Sequence, residues 1–514
     1  MLSPGAAPQL SRLTPVRRAT TARYLPLLYL GAIAGLCLVL RLIHLGSLSL
    51  WTDEIFSRYY YELFGLKFLW TEGLRAEPTP PLYYMLLEAW MRLFGSSESA
   101  IRSFSVAASV LTLPLLYVLG RELGTRSQAL LGSLLFALSP FALYFAQEAR
   151  AYALTLIPAT ALLVAVARFL RDPRSTAALV GFAVAAVVCL YTHATLLLLV
   201  AACNLAVLAS IGFSNRSDRS RAIAVWLLTN VIVAVVAVPY LREMLAASRF
   251  GGLDWIPPLS ARGVAVSLSA LISGIATPPS LPGIEITTLF IGVLIASLWA
   301  NPPERRAFVV LAIIPALFLA LAILASLVRP ILLPRILCWM SVPLCLLTAG
   351  QLLSRSRLGI ALRGATALTF AVGLTFQLAN ARGLKEPWRQ ALASLTPELR
   401  QADIVVVSPR FNPLILRYYA SGVHNIRVWD EQLPPTIITF VAPKLGVSDI
   451  SRTDILQAIA AGKPVWIVAN FLDQDFLTSL LAESRKPDIY RQWRCRKLTC
   501  IAVAGWHTSS PPSP

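Results

Sequence analysis

The chain has 514 residues, 56% of them hydrophobic and only 14% charged, where an ordinary soluble domain carries about 25%. That composition describes a multi-spanning membrane protein. The 45 Lys and Arg against 26 Asp and Glu give a formal charge of +19. Nucleic acid is excluded as the reason, because the excess sits in short clusters between apolar segments, where cytoplasmic loops gather Lys and Arg.

Apolar runs long enough to span (roughly 17–25 residues) occur near 25–45, 101–121, 127–146, 149–168, 176–193, 194–213, 222–242, 284–301, 307–328, 332–353 and 359–381. The first is long and lacks a following small-residue cleavage site, so no cleavable signal peptide is evident. With eleven spans, six basic groups share one side: Arg12 to Arg23, Arg121/Arg126, Arg168/Arg171/Arg174, Arg216/Arg219/Arg221, Arg305/Arg306 and Arg355/Arg357/Arg363. The positive-inside rule makes that side cytoplasmic. The solution requires residues 81–95 and 262–278 to lie in the outer interface. If both cross, the count becomes thirteen. Either way the N-terminus is inside and the C-terminus outside, in a cytoplasmic (inner) membrane.

The outer side then receives loop 46–100, loop 243–283 and a tail from about 383. The first of these is acidic, with Asp53, Glu54, Glu62, Glu72, Glu77, Glu88 and Glu98 against Arg58, Lys67, Arg75 and Arg92. No Asp or Glu precedes Asp53. Carboxylates at the mouth of so apolar a domain are costly to bury and call for a task. The chain is thus read as a transmembrane domain, 1–382, followed by a small extracytoplasmic α/β domain, 383–508, and a disordered end, 509–514. In the tail, 402–407 and 464–468 read as buried strands, 389–401 and 453–461 as helices, and 490–506 as a hairpin.

Three segments carry chemistry. Leu50-Trp51-Thr52-Asp53-Glu54 puts an acidic pair after an interfacial Trp. Glu77-Pro78-Thr79-Pro80-Pro81-Leu82-Tyr83-Tyr84 starts a helix on paired prolines. Gln147-Glu148-Ala149-Arg150-Ala151-Tyr152-Ala153-Leu154 lies at an outer turn, where Glu148 and Arg150 pair with each other or with a ligand. Tyr191-Thr192-His193 closes one span, and Arg329 and Arg335 flank the start of another. Of seven cysteines, five fall in spans. Cys495 and Cys500 fall in the outer domain, where a disulfide is permitted. There is no Walker loop, dinucleotide fingerprint or zinc spacing.

These motifs resemble, in order, those of the polytopic glycosyltransferases of family 39 and their bacterial relatives, which include protein O-mannosyltransferases and the lipid A aminoarabinose transferase. The match departs at Thr79, where many relatives have His, and at Ile336, where they have Tyr. The resemblance implies the membrane glycosyltransferase type C fold, α-helical and polytopic with 11–13 spans. It also implies transfer of a monosaccharide from a polyprenyl-phosphate donor to a glycan, lipid or protein acceptor at the extracytoplasmic face. Asp53 would be the catalytic base. Substrate contacts would come from Glu54, Glu77, Thr79, Tyr83, Gln147, Glu148, Arg150, Tyr152, His193 and Arg335, with direct displacement and inversion. No cofactor is required; a divalent metal, where one is used, would sit at Asp53, Glu54 and Glu77. The competing class is a transporter or flippase of lipid-linked sugars, which would place its polar site near mid-membrane. A membrane scaffold would leave the loop acids idle.

Overall fold

The computed structural model describes residues 15–69, 79–213, 218–247, 256–278, 283–380, 385–408, 413–429, 443–470, 474–495 and 498–507. Glu77 and the end segment 509–514 lie outside the described residues.

The described residues of the membrane part are mostly helical. Among the described residues eight helices are long and apolar enough to cross a bilayer, and a ninth crossing arises if the bent pair Arg126–Leu138 and Pro140–Ala146 is one span. The 60° bend falls at Ser139-Pro140. Proline has no N–H to continue the ladder, and Ser139 Oγ accepts from the Ala142 amide to restart it. The two remaining predicted spans are Thr176–Thr192 and Leu196–Gly212, of 17 residues each. At 1.5 Å per residue they extend only about 25 Å, short for a hydrocarbon core of about 30 Å. The segments predicted to stay in the interface form short helices, Pro81–Phe94 and Ala261–Ser273.

Pro334–Leu352 and Tyr152–Arg171 are the inner posts of the bundle, with 83% and 78% of their apolar windows buried, whereas the window in Tyr24–Leu42 is 11% buried and faces outward. Small residues set the closest approaches, as is usual where helices pack within lipid. A Cβ on Gly120 would come within 2.7 Å of the Ala129 backbone, and one on Gly132 within 2.6 Å of Leu346. The buried Arg41 holds the first helix in place by donating to Ser109 Oγ and to the carbonyls of Cys37, Phe136 and Ala137.

Beyond the last membrane helix, Arg357–Asn380, the chain forms a six-stranded sheet. The strands are β1 Ile404–Val407, β2 Ile426–Trp429, β3 Ser448–Ile450, β4 Val465–Asn470, β5 Ile489–Cys495 and β6 Leu498–Trp506, in the order β3-β2-β1-β4-β6-β5. The first four run parallel, and β6 is antiparallel to both β4 and β5. The central strand β4, Val465-Trp466-Ile467-Val468-Ala469-Asn470, is buried along its whole length, the continuous apolar pattern of a sheet covered on both faces. The predicted hairpin is present and is closed by a Cys495–Cys500 disulfide with Cα atoms 5.6 Å apart.

The outer segments share one core with this sheet. Leu50, Ile55, Phe56 and Tyr60 from the first outer segment pack in the same cluster as Trp388, Leu416, Val405 and Trp466. The tail domain therefore sits on the acidic segment and fixes it.

Candidate active site

Asp53 and Glu54 lie in the first turn of a helix, Thr52–Leu69, rather than in an open loop. Acids are favoured there by the partial positive charge of the helix N-terminus. Adjacent positions on a helix point about 100° apart, and here the two carboxylates have separate fates.

Glu54 turns inward and is fully buried. Its Oε1 accepts from Arg102 Nε (2.9 Å), the Ala149 amide (2.9 Å) and Lys385 Nζ (2.8 Å). Its Oε2 accepts from Arg102 Nη2 (2.6 Å) and the Trp51 amide (3.3 Å). Burial acts to raise the Glu54 carboxyl, but the charges and hydrogen bonds of Arg102 and Lys385 prevail and hold it down at about 2. The substrate contact expected of Glu54 has no oxygen left to make it. This carboxylate ties together the first outer segment, the Glu98–Leu123 helix, the 147–150 turn and the tail domain. Arg102 completes the knot by donating to the carbonyls of Leu45, Leu48 and Ser49.

Asp53 turns the other way, its side chain 32% exposed, and its Oδ2 lies 3.5 Å from Arg335 Nη1. Arg335 also donates to Tyr152 Oη at 3.0 Å. The Tyr152 ring in turn lies 5.7 Å from that of His193, whose Nδ1 is hydrogen-bonded to Thr195 Oγ1 at 2.8 Å. Arg150 approaches from the adjacent turn, donating to the Asp53 carbonyl (3.5 Å), Ser57 Oγ (3.3 Å) and Tyr84 Oη (3.4 Å). Asp53, Arg150, Tyr152, His193 and Arg335, predicted from four separate segments, thus come together.

Glu148 sits behind this group, 3% exposed, with no hydrogen-bond partner for Oε2. Burial pushes its carboxyl up to about 7; the Lys385 ammonium opposes the rise, and the negative Glu54 and Asp53 add to it. Burial likewise lowers Lys385, with Arg102 adding and Glu54 opposing.

Other predicted contacts have structural tasks. Gln147 donates from Nε2 to the carbonyls of Arg41 and Ile43, closing the first helix. Tyr83 is wholly buried against Tyr84 and Phe104. Thr79 is buried at the start of the Pro81–Phe94 helix. Arg102 and Lys385 went unrecognised in the motifs, although a charged residue at the very start of an apolar span is itself a signal. So is Lys385-Glu386 at the head of the tail. Glu386 accepts from the Thr52 amide and hydroxyl and from Trp388 Nε1.

The set named for a metal, Asp53, Glu54 and Glu77, is only partly within the described residues. Glu54 is surrounded by cations, Glu77 is outside the described residues, and among those residues no group of three or more His, Cys, Asp or Glu is arranged to hold a metal ion.

Residues 78–241 match the family described as dolichyl-phosphate-mannose-protein mannosyltransferase. No curated protein matches the chain in sequence. Among solved structures, ArnT from Cupriavidus metallidurans bound to undecaprenyl phosphate superposes with a TM-score of 0.61 at 13% identity, over 92% of this chain and 97% of that one. Its apo state gives 0.61 at 14%, over 95% and 98%. An Archaeoglobus fulgidus oligosaccharyltransferase tethered to an acceptor peptide gives 0.52 at 12%, over 96% of this chain and 75% of that one. At such identities the likeness is one of fold. The chain shares that fold along nearly its whole length, and residues 78–241 carry the sequence pattern of the mannosyltransferase family model.

Proposed function

We propose that the protein transfers a monosaccharide from a polyprenyl-phosphate donor to an acceptor hydroxyl at the extracytoplasmic end of the bundle, with Asp53 as general base. The observation that carries this reading is the pairing of an accessible Asp53 carboxylate with Arg335 at 3.5 Å, beside Arg150, in front of a bundle able to hold a prenyl chain. A base and a phosphate-binding cation are the two groups that displacement from a sugar phosphate needs.

In the step envisaged, Asp53 takes the proton of the acceptor O–H while that oxygen attacks the anomeric carbon. The bond from that carbon to the phosphate oxygen breaks, and its electron pair leaves with the phosphate. Attack opposite the leaving group inverts the centre. Arg335 and Arg150 stabilise the charge that grows on the phosphate, and His193 and Tyr152 line the same side. Arg335 has two tasks on this reading, holding Asp53 in the resting site and turning to the phosphate when the donor enters. The donor class is supported by the lipid phosphate bound in the Cupriavidus structure, and the acceptor stays a glycan, lipid or protein. A metal is assigned no part in the step, since Glu54 does not fit one.

The position of Asp53 favours this reading over a flippase. It lies at the bundle end, after the first helix, and not at mid-membrane on a broken helix. We further assign eleven crossings, with the N-terminus inside and residues 383–508 outside, in a cytoplasmic membrane.

The decisive experiment uses a synthetic prenyl-phosphate sugar and the full-length protein in nanodiscs. Asp53→Asn should keep donor affinity and cut transfer ~100-fold or more, the scale of acid–base catalysis. Near-normal turnover would remove Asp53 from the chemistry and return the flippase to consideration.

A further inference from the structure

A cleft of about 420 Å³ opens between three helix ends, lined by Tyr24, Pro26, Leu27, Tyr117, Arg121 and Arg126. It is remote from Asp53. Arg102, which grips Glu54, and Arg121, which lines the cleft, belong to one helix, Glu98–Leu123. Their separation of 19 positions corresponds to a rise of about 29 Å, the thickness of a hydrocarbon core. The cleft therefore lies at the opposite end of the bundle, at the level of the other headgroup layer.

Its charge is uncompensated from within. The carboxylates at this end are paired elsewhere: Glu122 with Arg168 and Arg171, Asp218 with Arg174, and Glu304 with Arg306. Asp172 accepts from the Arg174 amide. Among the described residues no carboxylate pairs with Arg121 or Arg126. The second arginine also opens the helix Arg126–Leu138, whose first turn holds no acid, so the amide dipoles there add to the positive field. The apolar side is equally defined. Tyr24 and Leu27 are more than half exposed on the outward face of the first helix, which leads from the arginines along the lipid-facing surface.

A phosphate beside two guanidiniums, attached to a chain that runs down an apolar groove, is the chemistry of an anionic phospholipid. We propose that this cleft is a binding site for an anionic phospholipid headgroup, with Arg121 and Arg126 gripping the phosphate and Tyr24, Leu27 and Tyr117 flanking the glycerol and upper acyl chain. Arginine suits the task because its planar fork can meet two phosphate oxygens at once. A bound lipid there would join the first helix to the Glu98–Leu123 and Arg126–Leu138 helices, which is useful because the first helix is the least buried of the long helices.

The test is native mass spectrometry of full-length protein released from nanodiscs of phosphatidylglycerol and phosphatidylcholine, mixed equally. Wild type should retain phosphatidylglycerol preferentially. R121Q/R126Q should lower that retention about 30-fold, which corresponds to about 2 kcal/mol, the scale of two basic side chains near an anionic surface. Transfer activity and monodispersity of the variant confirm that it has folded. R355Q/R357Q, which removes two exposed arginines from the same bundle end, should keep the preference. R121K/R126K should restore part of it. Equal loss in R355Q/R357Q would mean that diffuse surface charge holds the lipid, and overturns the site. So would unchanged retention in R121Q/R126Q, or no preference for phosphatidylglycerol in wild type. Displacement of the lipid by millimolar inorganic phosphate would assign the cleft to a soluble phosphate and overturn the lipid reading.

Discussion

Replacing Glu54 by Gln tests whether the buried carboxylate assembles the site or takes part in it. The charges of Arg102 and Lys385 outweigh burial and hold the group at about 2 against an ordinary 4.5. At about 1.36 kcal/mol per decade that difference is worth roughly 3 kcal/mol. An independent scale agrees: removing one member of a buried ion pair costs about 3–5 kcal/mol, because the remaining charge is left uncompensated. Two cations are stranded here, so E54Q should lie within or above that range. Lys385→Met should cost less, since Glu54 keeps both bonds from Arg102. In E54Q/K385M one stranded cation is gone, and part of the loss should return. The sign of the pH effect follows from a depressed folded value. The stabilisation is complete above an unfolded value of about 4.5 and is lost as pH falls toward about 2. Denaturant unfolding in mixed micelles, read as a double-mutant cycle, gives the coupling, and D53N serves as the exposed neighbour that should scarcely change stability. A loss below about 1 kcal/mol in E54Q, or strict additivity in the double variant, would refute the argument that Glu54 ties the outer segments together.

Glu148 has the opposite linkage. Its folded value is raised to about 7, so its contribution to stability is complete below about 4.5 and is lost as pH rises through about 7; thermal unfolding followed across that window should decline in wild type and flatten in E148Q. Reporter fusions after Arg126, Arg221 and Arg363 should report the cytoplasm and one after Pro387 the exterior; an exterior signal at Arg221 would sink the eleven-crossing assignment. Cysteine alkylation without reduction should leave Cys495 and Cys500 unlabelled, and C495S/C500S should lose about 2 kcal/mol, the loop-closure entropy of so short a ring. Free thiols at both positions would end that claim.

Local chemistry made much of this fold legible. Apolar length gave the helices, Pro81 gave the start of the short outer helix, and the unbroken apolar run of β4 gave the centre of the sheet. The crossing number was less accessible, because Thr176–Thr192 and Leu196–Gly212 are apolar enough but short. The site divided along a similar line. Asp53, Arg150, Tyr152, His193 and Arg335, which the structure brings together, could be picked from sequence because each stands at the end of an apolar run, where sequence position already implies depth. Glu54 was assigned to substrate because sequence cannot say which way two adjacent helix positions point. Arg102 and Lys385 escaped notice because their meaning lies in a partner 48 and 331 residues away.

That division has a physical consequence for the whole molecule. Apart from the bond of Asp53 to Arg335 and the hydrogen bonds its carbonyl accepts from Arg150 and Ser57, the contacts that fix the acidic helix run through groups buried away from the Asp53 carboxylate. Lys385 reaches Glu54, Glu386 caps Thr52, and Tyr419 donates to Glu98 while accepting from the Leu50 amide. Arg389 pairs with Glu98, and Arg417 with Glu62. All five of these residues belong to the tail domain, and all their partners belong to the first outer segment. The outermost of these pairs are partly exposed and individually worth little; the buried Lys385–Glu54–Arg102 knot beneath them carries the cost of separation. The tail domain is therefore the clamp that keeps the acidic helix against Arg335. A site built this way can tolerate sequence change on the outer surface of the sheet, but not on the single face that meets the acidic helix.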